Sequence, residues 1–323
     1  MTNIKKQLVT LFPFISKVHL RMFEMRRQWL LKHNKPRKLA ALYYQGMMKQ
    51  KMDWENPRDL NAKIQWLKFY GDRELWARCA DKYAVREYVK ERGLESILVD
   101  FYGKWDAAEE IDFNILPSSF ILKMNNGSGG NYVCRNKAEL DEGMVREKFK
   151  KWFAAEYADM FVEPHYQLIK PCALAEELLD NEKQDIPSTT LIDYKVWAFN
   201  GKVLYIWVCH NRKATEVQVA TYDTEWNYRP ELSVFTKAFQ ESRCQIPKPK
   251  CLSQMIEAAS ILSKGHPEVR VDFYVVNNRL YFGEMTFTSL GGYMDFYTKE
   301  MLNEMGDMTD LSIVNISNKS KNK

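Results

Sequence analysis

The sequence predicts an α+β protein with antiparallel sheets, and three hairpin signals separated by helical stretches carry that reading. The first is a strand over residues 119–124, a glycine-rich loop Asn125-Asn126-Gly127-Ser128-Gly129-Gly130-Asn131, and a strand over 132–134. The second sets strands over 193–199 and 202–208 around Asn200-Gly201, a dipeptide that accepts the left-handed backbone of a two-residue turn. The third joins 269–276 to 280–286. Such pairs argue against one parallel sheet. At 323 residues the chain suits about two domains or tightly joined lobes.

From the amino end, residues 14–50 mix Phe14, Ile15, Val18, Met22, Trp29, Leu30 and Leu31 with basic residues at helical spacing. Within residues 1–50, eleven lysines and arginines stand against Glu24 alone, so this stretch carries +10 and the remainder of a +5 chain carries −5. A helix on an anionic surface fits this pattern, as does the basic face of a helical subdomain. Pro57 and Asp59 open a helix with Leu60, Ile64, Leu67 and Tyr70 on one stripe, and Gly71 closes it. A further helix is expected over 81–92, capped by Asp81 and stopped by Gly93. Helical patterns return over 139–162 and 252–264, while 174–179 suit a strand feeding a polar loop.

Composition narrows the classes. Hydrophobic residues are 46% and charged residues 28%, which excludes a disordered polymer and a multi-span membrane protein. No apolar run approaches the roughly 18 residues that span a bilayer, and the start lacks a secretory pattern. The six cysteines contain no C-x-x-C pair, and the five histidines fall at no zinc or triad spacing. A reduced, cytoplasmic protein is expected.

Two segments can carry chemistry. Glycines 127, 129 and 130 let backbone N–H groups close around phosphate oxygens, although no Gly-Lys-Ser/Thr follows and Tyr132 and a strand stand where a dinucleotide fingerprint needs glycine and a helix. Lys123, two residues before this loop, would need an anion if buried, and a phosphate would supply it. The second segment is the closing hairpin, where Val269, Val271, Phe273 and Val275 share one face and Arg270 and Asp272 the other. A two-residue turn at Asn277-Asn278 would set Asp272 opposite Gly283, with Glu284 on the far face. A three-residue loop through Arg279 would set Asp272 directly opposite Glu284. Two facing carboxylates repel unless a cation or proton sits between them, and Mg²⁺ with phosphates is one solution. The loop Thr286-Phe287-Thr288-Ser289-Leu290-Gly291-Gly292 follows directly and offers further hydroxyl and backbone donors.

Arg270-Val271-Asp272-Phe273, with Glu284-Met285-Thr286 and a glycine loop behind it, resembles the closing motif of ATP-grasp ligases such as the D-alanine:D-alanine ligases. Asn56-Pro57 to Trp66, Asp81-Lys82-Tyr83-Ala84-Val85-Arg86, the Leu122-Lys123 to Gly130 loop, Glu176-Glu177, Asp193-Tyr194-Lys195 and Phe199-Asn200-Gly201-Lys202 complete a resemblance to the TupA-like ATP-grasp family, over roughly residues 50–310. That family is associated with teichuronopeptide and surface-polysaccharide biosynthesis.

The resemblance implies an ATP-grasp fold, two α+β lobes gripping ATP, behind a basic helical amino-terminal region. The expected division is 1–80 for that region, 81–175 for a first lobe with the phosphate loop, 176–312 for a second lobe with the Mg-ATP site, and 313–323 for a polar tail. It implies nucleotide contacts from Lys82, Lys123, Gly127, Ser128, Gly129 and Gly130, an adenine-reading hinge at Glu176, Glu177, Leu178 and Leu179, and a ribose contact from Asp193. Arg270 would stabilise the phosphoryl transition state, Lys195 would reach phosphate, and Arg212 would hold an acceptor carboxylate. Asp272 and Glu284 would hold Mg²⁺, with Thr286 where many ligases have an Asn ligand.

The activity implied is ATP-dependent carboxylate–amine ligation in cell-envelope polysaccharide assembly. Its partners would be a uronic-acid or other carboxylate-bearing glycan acceptor, an amine or amino acid, and an anionic membrane surface under the amino-terminal region. A glycan phosphotransferase using the same nucleotide site and a glycosyltransferase are the alternatives, the latter lacking an Asp-x-Asp run. No nucleic-acid partner is expected.

Overall fold

The computed structural model describes residues 17–155, 157–184 and 186–314, with side chains from residue 21 onward. Phe14, Ile15, most of the polar tail and the side chain of Val18 lie outside what it describes. Among the described residues no helix is long and apolar enough to cross a membrane.

Two helices, α1 (Lys17–Lys32) and α2 (Pro36–Met48), open the structure. Leu30, Leu39, Tyr43 and Tyr44 bury their side chains against Ala62, Val162 and Tyr293, so this basic segment is packed onto the body. Met22, Met25 and Trp29 remain more than half exposed on the outer face of α1, whereas Leu30 and Arg27 are buried. The stripe of mixed cations and apolar residues therefore divides into an inner and an outer face.

Next come α3 (Leu60–Tyr70), α4 (Arg73–Ala80) and α5 (Val85–Glu91). Asp59 caps α3 by accepting from the Ala62 N–H, as its sequence position suggested. The helix expected from Asp81 begins later. Asp81 spends its carboxylate on the N–H groups of Tyr83 and Ala84 in a tight turn, and regular helix starts only at Val85.

A four-stranded sheet follows in the spatial order β1 (Phe101–Trp105), β4 (Ala173–Glu176), β2 (Phe120–Met124), β3 (Asn131–Cys134). The helix α6 (Glu142–Phe153) covers it, with Val145 and Phe149 fully buried against Phe120, Leu122 and Ala175. The helical pattern expected to reach 162 stops at Phe153, and the chain then turns back toward the glycine loop.

The second sheet has six strands in the order β10 (Arg279–Thr286), β9 (Val269–Val276), β5 (Asp193–Phe199), β6 (Lys202–His210), β7 (Val217–Asp223), β8 (Phe239–Glu241). One face packs Val196, Ile206, Val208, Val271 and Phe273 on α7 (Leu252–Ser263). The other packs Trp197, Tyr205 and Trp207 against α8 (Lys299–Met308) and residues 294–297. Because strand side chains alternate, the charged residues of β5, β9 and β10 share this second face at its uncovered end.

Candidate functional site

The site begins with one glycine. The β9–β10 hairpin turns through Asn277 and Asn278 alone, both at positive φ, and pairs Arg279 with Val276. That two-residue turn would send Glu284 to the apolar face. A bulge between Phe282 and Glu284 absorbs Gly283 and restores the pairing of Glu284 with Asp272. The expected pairing is therefore present, but a bulge produces it and not a three-residue loop. The parity change is visible in the core: Leu280 and Phe282 lie in one apolar cluster with Met285 and Phe287, which only a one-residue slip allows. Only glycine suits the bulge, since a Cβ there would meet the Asp272 carbonyl oxygen at 2.9 Å.

Around this pair runs a chain of alternating charge. Arg270 grips Asp272 with two nitrogens, Nε to Oδ1 at 2.7 Å and a terminal nitrogen to Oδ2 at 2.8 Å. Lys195 donates to the same Oδ2 at 2.5 Å and lies 3.6 Å from Asp193, which Arg212 meets at 3.0 Å. On the other side Arg270 stands 3.6 Å from Glu284, and Glu284 stands 3.6 Å from Lys82. Burial alone would push the Asp272 carboxyl up, but the Arg270 guanidinium and the Lys195 ammonium outweigh it and hold it below its ordinary range. The repulsion expected between Asp272 and Glu284 is thus already neutralised by protein cations.

Lys82 joins this network to the glycine loop by donating to the Gly127 carbonyl at 2.6 Å. Gly127 lies at φ +80, where a Cβ would strike the Tyr157 ring, and the Ser128 hydroxyl meets the Tyr157 hydroxyl at 3.1 Å. Lys123 belongs to a separate cluster on the four-stranded sheet. Its ammonium donates to Glu176 at 2.8 Å, and Arg86 holds the other oxygen of that carboxylate at 2.8 Å. The anion that a buried Lys123 requires is therefore present inside the protein. Beyond Glu176, the Glu177 N–H donates to the Asp100 carbonyl. Leu179 packs with Val99, Val276 and Tyr281, bridging the ends of the two sheets.

A cleft of about 960 Å³ opens between the glycine loop and the hairpin. Gly127 to Gly130, Arg270, Glu284 and Thr286 line it, as do Arg27 and Gln28 from α1. The loop after β10 forms another wall. Ser289 accepts from Arg270 at 2.7 Å, and Thr286 both accepts from Arg270 at 3.1 Å and donates to Glu284 at 3.2 Å. Beneath that loop Gln65 donates to the Gly291 and Gly292 carbonyls, and Lys68 donates to Gln65, Phe161 and Gly291. Glu163, also on the cleft wall, accepts from Thr288 at 2.5 Å.

Arg86, Ser289, Gln65, Lys68 and Glu163 escaped the sequence reading. Arg86 sat inside a motif already singled out, and Ser289 inside the hydroxyl-rich loop. Lys68 and Gln65 lie on a helix whose apolar stripe masked them, and nothing near Glu163 signals a buried acid.

Glu284 and Thr286 turn oxygens to the cleft that suit a hard divalent cation keeping waters and taking its remaining ligands from a phosphate. Both oxygens of the buried Asp272 are engaged by Arg270 and Lys195, so that it would reach a cation only by exchanging one of those bonds. The three residues do not suit a cage closed by protein alone, for no group of three or more acidic, histidine or cysteine side chains converges among the described residues.

The family model described as TupA-like ATPgrasp matches residues 62–310. Among solved structures, a D-alanine–D-alanine ligase from Bacillus anthracis is 16% identical, with 75% of this chain and 71% of that one covered at a TM-score of 0.45. The D-alanine–D-alanine ligase from Helicobacter pylori is 14% identical over 79% of this chain and 68% of that one, at a TM-score of 0.41. The ATP-grasp ligase PsnB, complexed with minimal precursor, Mg and ADP, is 11% identical over 88% and 74% of the two chains, at a TM-score of 0.38. No curated protein matches the chain.

Proposed function

We propose, for a chain that belongs to the TupA-like ATP-grasp family, the activity of a carboxylate–amine ligase that uses ATP and Mg²⁺ to form an amide on a cell-surface glycan. The observation that carries this reading is the group Arg270, Glu284 and Thr286, presented across a cleft from the glycine loop with the buried Asp272 bracing Arg270 behind it. When bound, MgATP supplies the phosphoryl group that turns an acceptor carboxylate into an acylphosphate, with ADP as the leaving group. An amine then displaces phosphate.

The residues have distinct roles in this proposal. Asp272, Glu284 and Thr286 offer oxygens to the metal. Arg270 and Lys195, oriented by Asp272, present positive charge where the transferring phosphoryl group becomes more anionic. Lys82, Lys123 and the backbone of Gly127 to Gly130 hold nucleotide phosphates, while Glu176 to Leu179 and Asp193 take the nucleoside. Arg212 is assigned to the acceptor carboxylate, a uronic acid in the proposed glycan. The lobes divide as 81–175 and 176–312, with residues 1–80 as acceptor and surface contact.

The amino-terminal region supports a place at the inner face of the cytoplasmic membrane. Met22, Met25 and Trp29 stand outward on α1 beside the exposed Arg21, Arg26 and Lys32, a combination that suits anionic lipid. Sedimentation with anionic liposomes should fall with salt; equal binding to neutral liposomes removes this part of the proposal.

The activity is tested by incubating the protein with ATP, Mg²⁺, D-glucuronate and an amine. Release of ADP with free phosphate and an amide supports the ligase. ADP with a stable phosphoester would instead identify a phosphotransferase.

A further inference from the structure

The cleft wall holds a carboxylate that none of the roles above uses. Glu163 is 3% exposed, its Oε1 accepts from the Thr288 hydroxyl, and its Oε2 is buried with no hydrogen-bond partner. A buried carboxylate oxygen left without a donor is costly, and folded proteins seldom keep one. The residue before it, Val162, is a buried β-branched residue at φ +57, a conformation such residues rarely adopt.

The surroundings do not supply the missing donor. Lys68 is near enough to attract Glu163 electrostatically, yet its hydrogen bonds go to the Gln65 side chain and to the carbonyls of Phe161 and Gly291. His165, Tyr157 and Tyr166 surround the same segment; burial and the Lys68 charge push the His165 imidazole down to about 3, so it stays neutral. Burial pushes the Glu163 carboxyl up, and Lys68 and Thr288 offset that only in part. Beyond Thr288 stand Ser289, Arg270 and Glu284, the groups beside which the acylphosphate would form.

We propose that Glu163 holds the incoming amine of the second substrate and deprotonates it. This inference rests on the ligase reading and adds to it the class of the second substrate, a cationic primary amine. The ammonium gives one proton to Glu163 Oε2 and becomes a nucleophile. Its nitrogen bonds to the acyl carbon, the C–O bond to phosphate breaks with its electron pair on oxygen, and the second proton leaves nitrogen for that phosphate. Glu163 then returns its proton to solvent. The Thr288 hydroxyl fixes the carboxylate so that Oε2 is the oxygen left for the amine.

The test compares amines on the full chain. Hydroxylamine is uncharged at neutral pH and traps an acylphosphate as a hydroxamate without a base; ammonium, methylamine and glycine arrive protonated. With ATP, Mg²⁺ and D-glucuronate, Glu163→Gln should retain hydroxamate formation and lose amide formation from the cationic amines by about 10²-fold or more, the usual contribution of a positioned base. Glu163→Asp should recover part of that loss, and the melting shift with MgATP checks that both variants are folded. Equal losses for hydroxylamine and cationic amines in both variants would mark Glu163 as structural. A parent that uses hydroxylamine but no cationic amine would also overturn the proposal. A parent that forms neither product sinks the ligase reading itself, and this inference with it.

Discussion

The two sheets carry charged clusters of opposite design. At the six-stranded sheet, Lys195, Arg270, Asp193, Asp272 and Glu284 stand on neighbouring strands, and Arg212 from the loop after β6 and Lys82 from the turn before α5 extend their alternation of charge at either end. On the four-stranded sheet one carboxylate, Glu176, holds both Lys123 and Arg86. Each cluster has one cation more than it has anions. The first is braced by protein charges along its length, whereas in the second Lys123 rests on one internal anion, whose place a ligand phosphate takes in the proposed function. A site that must both fix a metal and close over a nucleotide can divide those tasks between its lobes in this way.

The largest effect should come from breaking the braced cluster. Asp272→Asn leaves the Arg270 and Lys195 charges buried without their shared counter-ion, and removal of one partner of a buried pair costs about 3–5 kcal/mol. Arg270, which bonds Asp272 and stands 3.6 Å from Glu284, already offsets the repulsion between the two carboxylates, so the substitution gains no stability from its relief. Denaturant melts give a further check. The parent carboxyl is held below its ordinary range, so its contribution is complete above the unfolded value of about 3.9 and fades as pH falls through the folded one. Parent and variant should therefore converge in acid; a constant gap across pH would show that the charge is not the cause.

Gly283→Ala should come next. Its Cβ would press on the Asp272 carbonyl oxygen and the Tyr274 ring, and overpacking of this kind costs about 1–3 kcal/mol. If the bulge is lost, Glu284 turns toward the apolar face and Mg²⁺-dependent nucleotide binding goes with it. Retention of the parent's Mg²⁺ dependence would show that the hairpin tolerates the side chain.

These two positions also show how far the sequence is legible. The strands of the three hairpins and the Asn200-Gly201 turn follow from period and turn chemistry. The Asp272–Glu284 pairing depended on a choice between two loop lengths, and neither describes the bulge. A lone glycine in a strand permits a bulge without announcing one. Lys68 and Glu163 were illegible for a different reason: a lysine on an amphipathic helix and an acid in a loop belong by default in solvent. Their burial is decided by the packing of α1, α2 and residues 288–292 around them, which no local pattern encodes.

The adaptable cluster should respond differently. Lys123→Ala leaves Glu176 paired with Arg86, so the apo protein should lose only about 1 kcal/mol, as for a partly exposed pair. The MgATP-induced rise in melting temperature should nevertheless shrink strongly. An unchanged rise would show that Lys123 serves Glu176 alone.

The smallest effect is expected at the outer end of the alternating chain. Arg212 is 48% exposed and pairs with Asp193, itself within reach of Lys195, so deleting it leaves no buried charge alone. Arg212→Ala should change stability by under about 1 kcal/mol, and that small difference should vanish at high salt because solvent reaches the pair. Its effect on activity should fall on the carboxylate substrate: a raised KM for D-glucuronate with kcat and the ATP response kept. A fall in kcat of the same size would place Arg212 with the braced cluster instead, acting through Asp193 and Lys195 on phosphoryl transfer, and the boundary between fixed and adaptable charge would move outward by one residue.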